Sequence, residues 1–135
     1  MTRVDIVPVE ELHQKHITSG IHEIVRVFGL VRKAQASGIN KYNFYAKKKP
    51  PVAYTLGAGH ILFFFNKLAW IADRYAALCA EHRRRGGNVN EISREELLDG
   101  IAGWWQNSYT PTEEALAINR ERIAERVSQF KRKEK

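Results

Sequence analysis

The sequence predicts an all-α fold: a single compact domain over residues 1–135, a bundle of about three main helices with one long basic, aromatic loop. Three observations carry that prediction. Apolar residues recur at spacings of three and four in two long stretches, Pro and Gly punctuate helix-boundary positions, and no stretch alternates with the period of a strand. With 44% of its residues apolar, a chain of 135 residues has enough material to close one core.

The first helix follows Pro8, a residue suited to an opening turn. Its apolar positions Ile17, Ile21, Ile24, Val25, Phe28 and Val31 fall in one stripe about 120° wide at the helical step. Gly20 weakens this helix locally, and Gly38 stops it. From Ile39 to Gly59, Tyr42, Phe44, Tyr45 and Tyr54 interleave with Lys47-Lys48-Lys49 and Pro50-Pro51, whose fixed φ excludes helix. A loop of that length carries function or mobility.

A central helix is predicted from about His60 to Arg85, with Ile61, Phe65, Leu68, Ala72, Tyr75 and Cys79 on one face and Gly86-Gly87 ending it. A short piece opens at Ser93, with Glu96 completing a capping box. The last helix opens at Thr110-Pro111-Thr112-Glu113 and runs to about Phe130, leaving about 128–135 as a mobile basic tail.

Charge gives the first functional indication. Lys and Arg number 22 against 15 acids, a net +7, which favours a polyanionic partner, nucleic acid before membrane. The charge concentrates at Lys47–Lys49, at Arg83-Arg84-Arg85 and in the last sixteen residues, where seven basic residues face three acids. One cysteine, Cys79, allows no internal disulfide and points to a reducing compartment. No apolar run approaches the roughly 18 residues of a membrane span, and the opening Met-Thr-Arg-Val-Asp carries no signal stretch. A cytoplasmic monomer is expected.

Opposite the apolar stripe of the first helix, His16, Glu23 and Arg26 share an arc of about 80°. An ordinary solvated face explains such a trio; so does a carboxylate held ionised beside a cation and able to move protons. His13, His16 and His22 do not complete a metal site, because His22 points elsewhere and no Cys or second carboxylate joins them. Cys79 reads as a buried structural thiol. Trp104-Trp105 read as core filling, with base stacking as the sharper alternative. Thr2 is small, so removal of Met1 would leave a free α-amine beside Arg3. Its ordinary pKa of about 7.7–8.0 would fall further near cations, enlarging the nucleophilic fraction.

Several stretches resemble the pyrimidine-dimer DNA glycosylases of the phage endonuclease V type. They are Met-Thr-Arg at 1–3, the Leu12…His16 step, Glu23 followed by Arg26-Val-Phe-Gly29, and Val31-Arg-Lys33. Leu56-Gly-Ala-Gly-His60, Phe63-Phe64 and Lys67-Leu68 follow, then Tyr109-x-Pro111 and the alternation through Ala115, Ala117, Ile118, Arg122 and Arg126. The resemblance spans residue 1 to about 127. It implies a DNA repair enzyme without metal or organic cofactor that acts on damaged double-stranded DNA as glycosylase and abasic-site lyase. Carried over by position, Thr2 supplies the nucleophilic amine and Glu23 the essential carboxylate. Arg3, His16, His22, Arg26, Lys33, Arg122 and Arg126 would contact DNA.

The chain departs from the family pattern in four places. Ile21-His22 stand where Tyr-Arg is common, Val25 replaces a Pro, the 42–53 loop is reshaped, and an aromatic C-terminal run is missing. Lesion choice is therefore open between pyrimidine dimers and another modified base. A non-catalytic basic DNA binder is the alternative outside enzymology.

Overall fold

The computed structural model describes residues 3–134, which are all-α. Six α-helices follow in order: α1 (Gln14–Ile24), α2 (Arg26–Ala36), α3 (Phe44–Lys48), α4 (Leu68–Arg84), α5 (Arg94–Leu98) and α6 (Glu113–Glu134). Single 3-10 turns at Val9–Glu11, Leu62–Phe64 and Gly103–Trp105 bridge them.

The first predicted helix is two, divided at Val25. The stripe persists through the bend, burying Ile17, Ile21 and Ile24 on α1 and Val27, Phe28 and Val31 on α2. The bend lets one stripe serve two neighbours. α1 packs along α4, whereas α2 carries Arg32 and Gln35 to the C-terminal end of α5 and the residues just after it, where Arg32 donates to the carbonyls of Glu96, Leu97 and Asp99. Gly20 is the contact point of α1 with α4. A Cβ there would lie 3.3 Å from Leu78 Cδ1, so the residue that weakens the helix also lets the two axes approach closely.

α2 ends as expected at Gly38, with φ +94°. The Gly38 amide donates to Gln35 and the Ile39 amide to Ala34, while buried Ile39 closes the hydrophobic side of the stop. The predicted loop after it is not wholly irregular. Phe44 anchors α3 by packing its ring against Phe65, Trp104 and Trp105 at 6.1, 5.7 and 5.1 Å between centroids. Lys49, with φ 47°, ends that helix directly before Pro50.

The central helix begins at Leu68, later than the periodicity predicts. Lys67 leaves helical geometry with ψ 36°, and its ammonium caps the preceding turn through the Phe63 carbonyl. Ser93 caps α5 as expected, accepting from the Glu96 amide at 3.2 Å. The N-cap of α6 is Thr112 instead of Thr110; its hydroxyl accepts from the Ala115 amide. α6 extends to Glu134, and Phe130 on it packs over His13 and His16 at 5.2 and 5.4 Å. Cys79 and Trp105 are buried in the core, as expected.

Candidate active site

Residues 3–8 form an arm without helix, yet Val4, Ile6 and Val7 are buried in the core. Their amides therefore need partners from elsewhere in the chain. Asn119 of α6, fully buried, supplies two: its Oδ1 accepts from Ile6 and Val7 at 2.7 and 3.1 Å. Its amide nitrogen donates to Asp5 Oδ1 at 3.0 Å. His60 supplies the third, its Nε2 lying 2.9 Å from the Val4 amide. Losing the partner of a buried donor costs about 1–3 kcal/mol, so these two side chains fasten the arm.

The fastened arm forms one wall of a polar cleft of about 170 Å³. α1 contributes His16, Ser19, Gly20 and Glu23, which share a face because they are three, four and seven residues apart. The arm contributes Arg3 and Asp5, and α6 contributes Arg126 and Phe130. Elements at the two ends of the sequence thus meet over the first helix.

The electrostatics are those of a crowded cationic site with two carboxylates in it. Burial lowers the Arg3 pKa, and the charges of Arg122 and Arg126 push the same way, opposed by Asp5 and Glu23. His16 is 8% exposed, and burial pulls its imidazole below the usual range, with Arg3, His13 and Arg126 adding to the effect and Asp5 opposing it. Burial thus favours its neutral form, and its Nδ1 has no hydrogen-bond partner among the described residues. Arg74, buried beneath the arm, also keeps Nε and Nη2 unpaired there and stays charged, its pKa lowered by burial to about 10.

Of the residues expected to act, Arg3, His16, Glu23 and Arg126 are brought together. Arg122 stands close enough for its charge to act on Arg3. Arg26 and Lys33 are exposed on α2 and line no part of the cleft. His22 faces away, into a second cleft with Ile21, Val25, Tyr75, His82 and Asn88. Thr2 lies outside the described residues.

The basic runs fare differently from one another. Arg84 and Arg85 both bind Glu81 and hold its carboxyl down to about 2, while Arg83 pairs with Glu91. Arg120 pairs with Glu11. Arg3, Arg122 and Arg126 at the cleft enter no ion pair among the described residues, and neither do Arg26 and Lys33 on α2 or the exposed Lys47–Lys49 run, so the charge available to a polyanion lies in these places more than at 83–85. Among the described residues, no three His, Cys, Asp or Glu stand together as a metal site, and no helix is long and apolar enough to cross a membrane.

The matched region decides the family. A family model described as pyrimidine dimer DNA glycosylase matches residues 1–95. The chain belongs to this family. It is thus a DNA repair glycosylase with DNA as substrate, and the match takes in the arm, the whole of α1 and His60. The α6 wall, with Arg126 and Phe130, lies beyond it.

Sequence reasoning missed Asp5, Ser19 and Phe130 in this glycosylase's cleft, and Asn119 behind it. Asn119 had a readable signal: it stands at spacing four between Ala115 and Ile123, a polar residue in a core position of a helix. For Asp5 and Phe130 no local signal exists, since their roles arise only when the two ends of the chain meet.

Proposed function

We propose that the protein is a bifunctional DNA glycosylase and abasic-site lyase acting on cyclobutane pyrimidine dimers, with the Thr2 α-amine as nucleophile after removal of Met1. The reading rests above all on one observation: Arg3, the residue joined to Thr2, lines the same small polar cleft as Glu23 and His16.

In this reading the amine lone pair attacks C1′ of the damaged nucleotide. The glycosidic bond breaks with its electron pair going to the base, which takes up a proton. Loss of a proton from nitrogen and opening of the C1′–O4′ bond yield the imine. Removal of a C2′ proton then drives β-elimination of the 3′-phosphate, and water releases the amine. Glu23 has two tasks: stabilising the sugar as it becomes cationic and assisting proton transfer. The cations around Arg3 favour the neutral, nucleophilic form of a neighbouring amine. Arg3, Arg122 and Arg126 hold phosphates, with Arg26 and Lys33 extending the contact along α2.

A second reading keeps this chemistry and changes the lesion. Ile21 and His22, where the chain departs from the family pattern, face a separate cleft, so lesion choice can vary without touching Glu23. Borohydride trapping on a duplex with one cis-syn thymine dimer, beside an abasic duplex, tests both. Adducts on both duplexes support the first reading. An adduct on the abasic duplex alone moves the substrate to another damaged base. No adduct on either, with Thr2 free by mass, overturns imine catalysis and leaves a DNA binder.

A further inference from the structure

The Leu56-Gly-Ala-Gly-His60 stretch has no part in the chemistry above, yet its histidine reaches the arm. His60 is 4% exposed, and both of its ring nitrogens are engaged. Nδ1 lies 2.8 Å from the Thr55 carbonyl oxygen, which can only accept, so Nδ1 carries the proton. Nε2 then holds the lone pair and accepts the Val4 N–H at 2.9 Å. Tyr54, packed edge-on to the imidazole at 5.4 Å, donates to the Val4 carbonyl from the other side.

The loop is built to turn this ring inward. Gly57 and Gly59 take φ +75° and +85°, and the His60 amide closes the turn on the Gly57 carbonyl. A Cβ at Gly59 would press on Pro51 Cδ at 3.1 Å, so the Pro50-Pro51 segment backs the turn. If core filling were the whole role, an apolar ring would serve among Phe64, Phe63 and Tyr54. The polar ring instead links the Thr55 carbonyl to one amide, and that amide belongs to the Arg3–Val4 peptide.

We propose that His60 is a positioning residue: by accepting the Val4 N–H in a fixed tautomer, it sets the plane of the Arg3–Val4 peptide and so aims the terminal amine at the sugar. The assignment rests on the imine reading above. Its effect falls chiefly on the reactive step, because of the cations assigned to phosphates only Arg3 lies on the arm, with Arg26 and Lys33 on α2 and Arg122 and Arg126 on α6. A displacement of about 1 Å in a reacting group can cost on the order of 100-fold in rate.

The test is single-turnover borohydride trapping on a saturating abasic duplex, with the dissociation constant for the same duplex measured separately. His60→Phe keeps a ring and loses the acceptor; trapping should slow about 10- to 100-fold with affinity within about twofold. His60→Gln, whose Oε1 can accept the same amide, should recover most of the rate. Trapping by H60F at the wild-type rate, or H60Q as slow as H60F, overturns the assignment while wild-type adduct keeps the imine reading intact. A wild-type chain that forms no adduct overturns both. Should H60F fail to fold, nitrogen-15 NMR of wild-type His60 at pH 7 decides: the Nδ1–H tautomer supports the assignment, and an Nε2–H or doubly protonated ring overturns it.

Discussion

Asn119 and Asp5, separated by 114 positions in sequence, are joined by a 3.0 Å hydrogen bond, while the other end of the same carboxamide accepts from Ile6 and Val7. One buried side chain of the last helix thereby fixes the arm at Asp5, Ile6 and Val7 and, with it, one of the two carboxylates that line the cleft. Replacing it by Ala leaves two buried amides without a partner. Asn119→Ala should cost about 2–4 kcal/mol, read as a lowered urea midpoint at unchanged slope.

Glu23 lines the cleft and is only half-buried, so the fold does not depend on its charge. Glu23→Gln should therefore melt within a few degrees of wild type and lose base release by about 10²- to 10⁴-fold. Gel-resolved excision from a dimer-containing duplex, beside a thermal melt, separates the two effects. Wild-type turnover in the variant would remove Glu23 from the mechanism.

Acid should loosen the arm before it affects most carboxylates. His16 and His60 both titrate below their usual range because they are buried. The folded state then binds fewer protons than the unfolded chain at pH values beneath about 6.5, so stability is full above that value and falls as pH drops through it. Glu81 acts in a lower window, its contribution present above the usual carboxylate range and lost toward about 2. Urea unfolding between pH 7.5 and 5 should show the histidine loss alone, and His60→Gln should show less of it than wild type.

Salt dependence distinguishes the basic groups. Arg122 and Arg126 enter no ion pair among the described residues, whereas Arg84 is bound to Glu81. Arg122→Ala and Arg126→Ala should each reduce the slope of log K against log salt by about 1 on undamaged duplex. Arg84→Ala should leave the slope unchanged. Fluorescence anisotropy across a salt series reads all three, and an equal change in Arg84→Ala would put the 83–85 run back on the DNA face.

Much of the helix content was legible because its causes are local. The stripe from Ile17 to Val31, the stop at Gly38 and the Ser93 cap depend on residues within a few positions of each other, and each is where its spacing puts it. Boundaries moved where a distant contact intervened. Phe44 folded part of the loop because Trp104 and Trp105 were there to bury it, and the central helix waited for Lys67 to turn on Phe63.

The site divides in the same way. His16 and Glu23 could be paired by sequence alone, since seven residues make two turns of one helix face. That Arg3 should face them, that Arg126 and Phe130 should close the cleft, and that Arg84 should be neutralised by Glu81 was decided by tertiary structure. The physical reason is burial. An arm without secondary structure must find partners for its amides, and only the folded chain brings Asn119 and His60 to Val4, Ile6 and Val7.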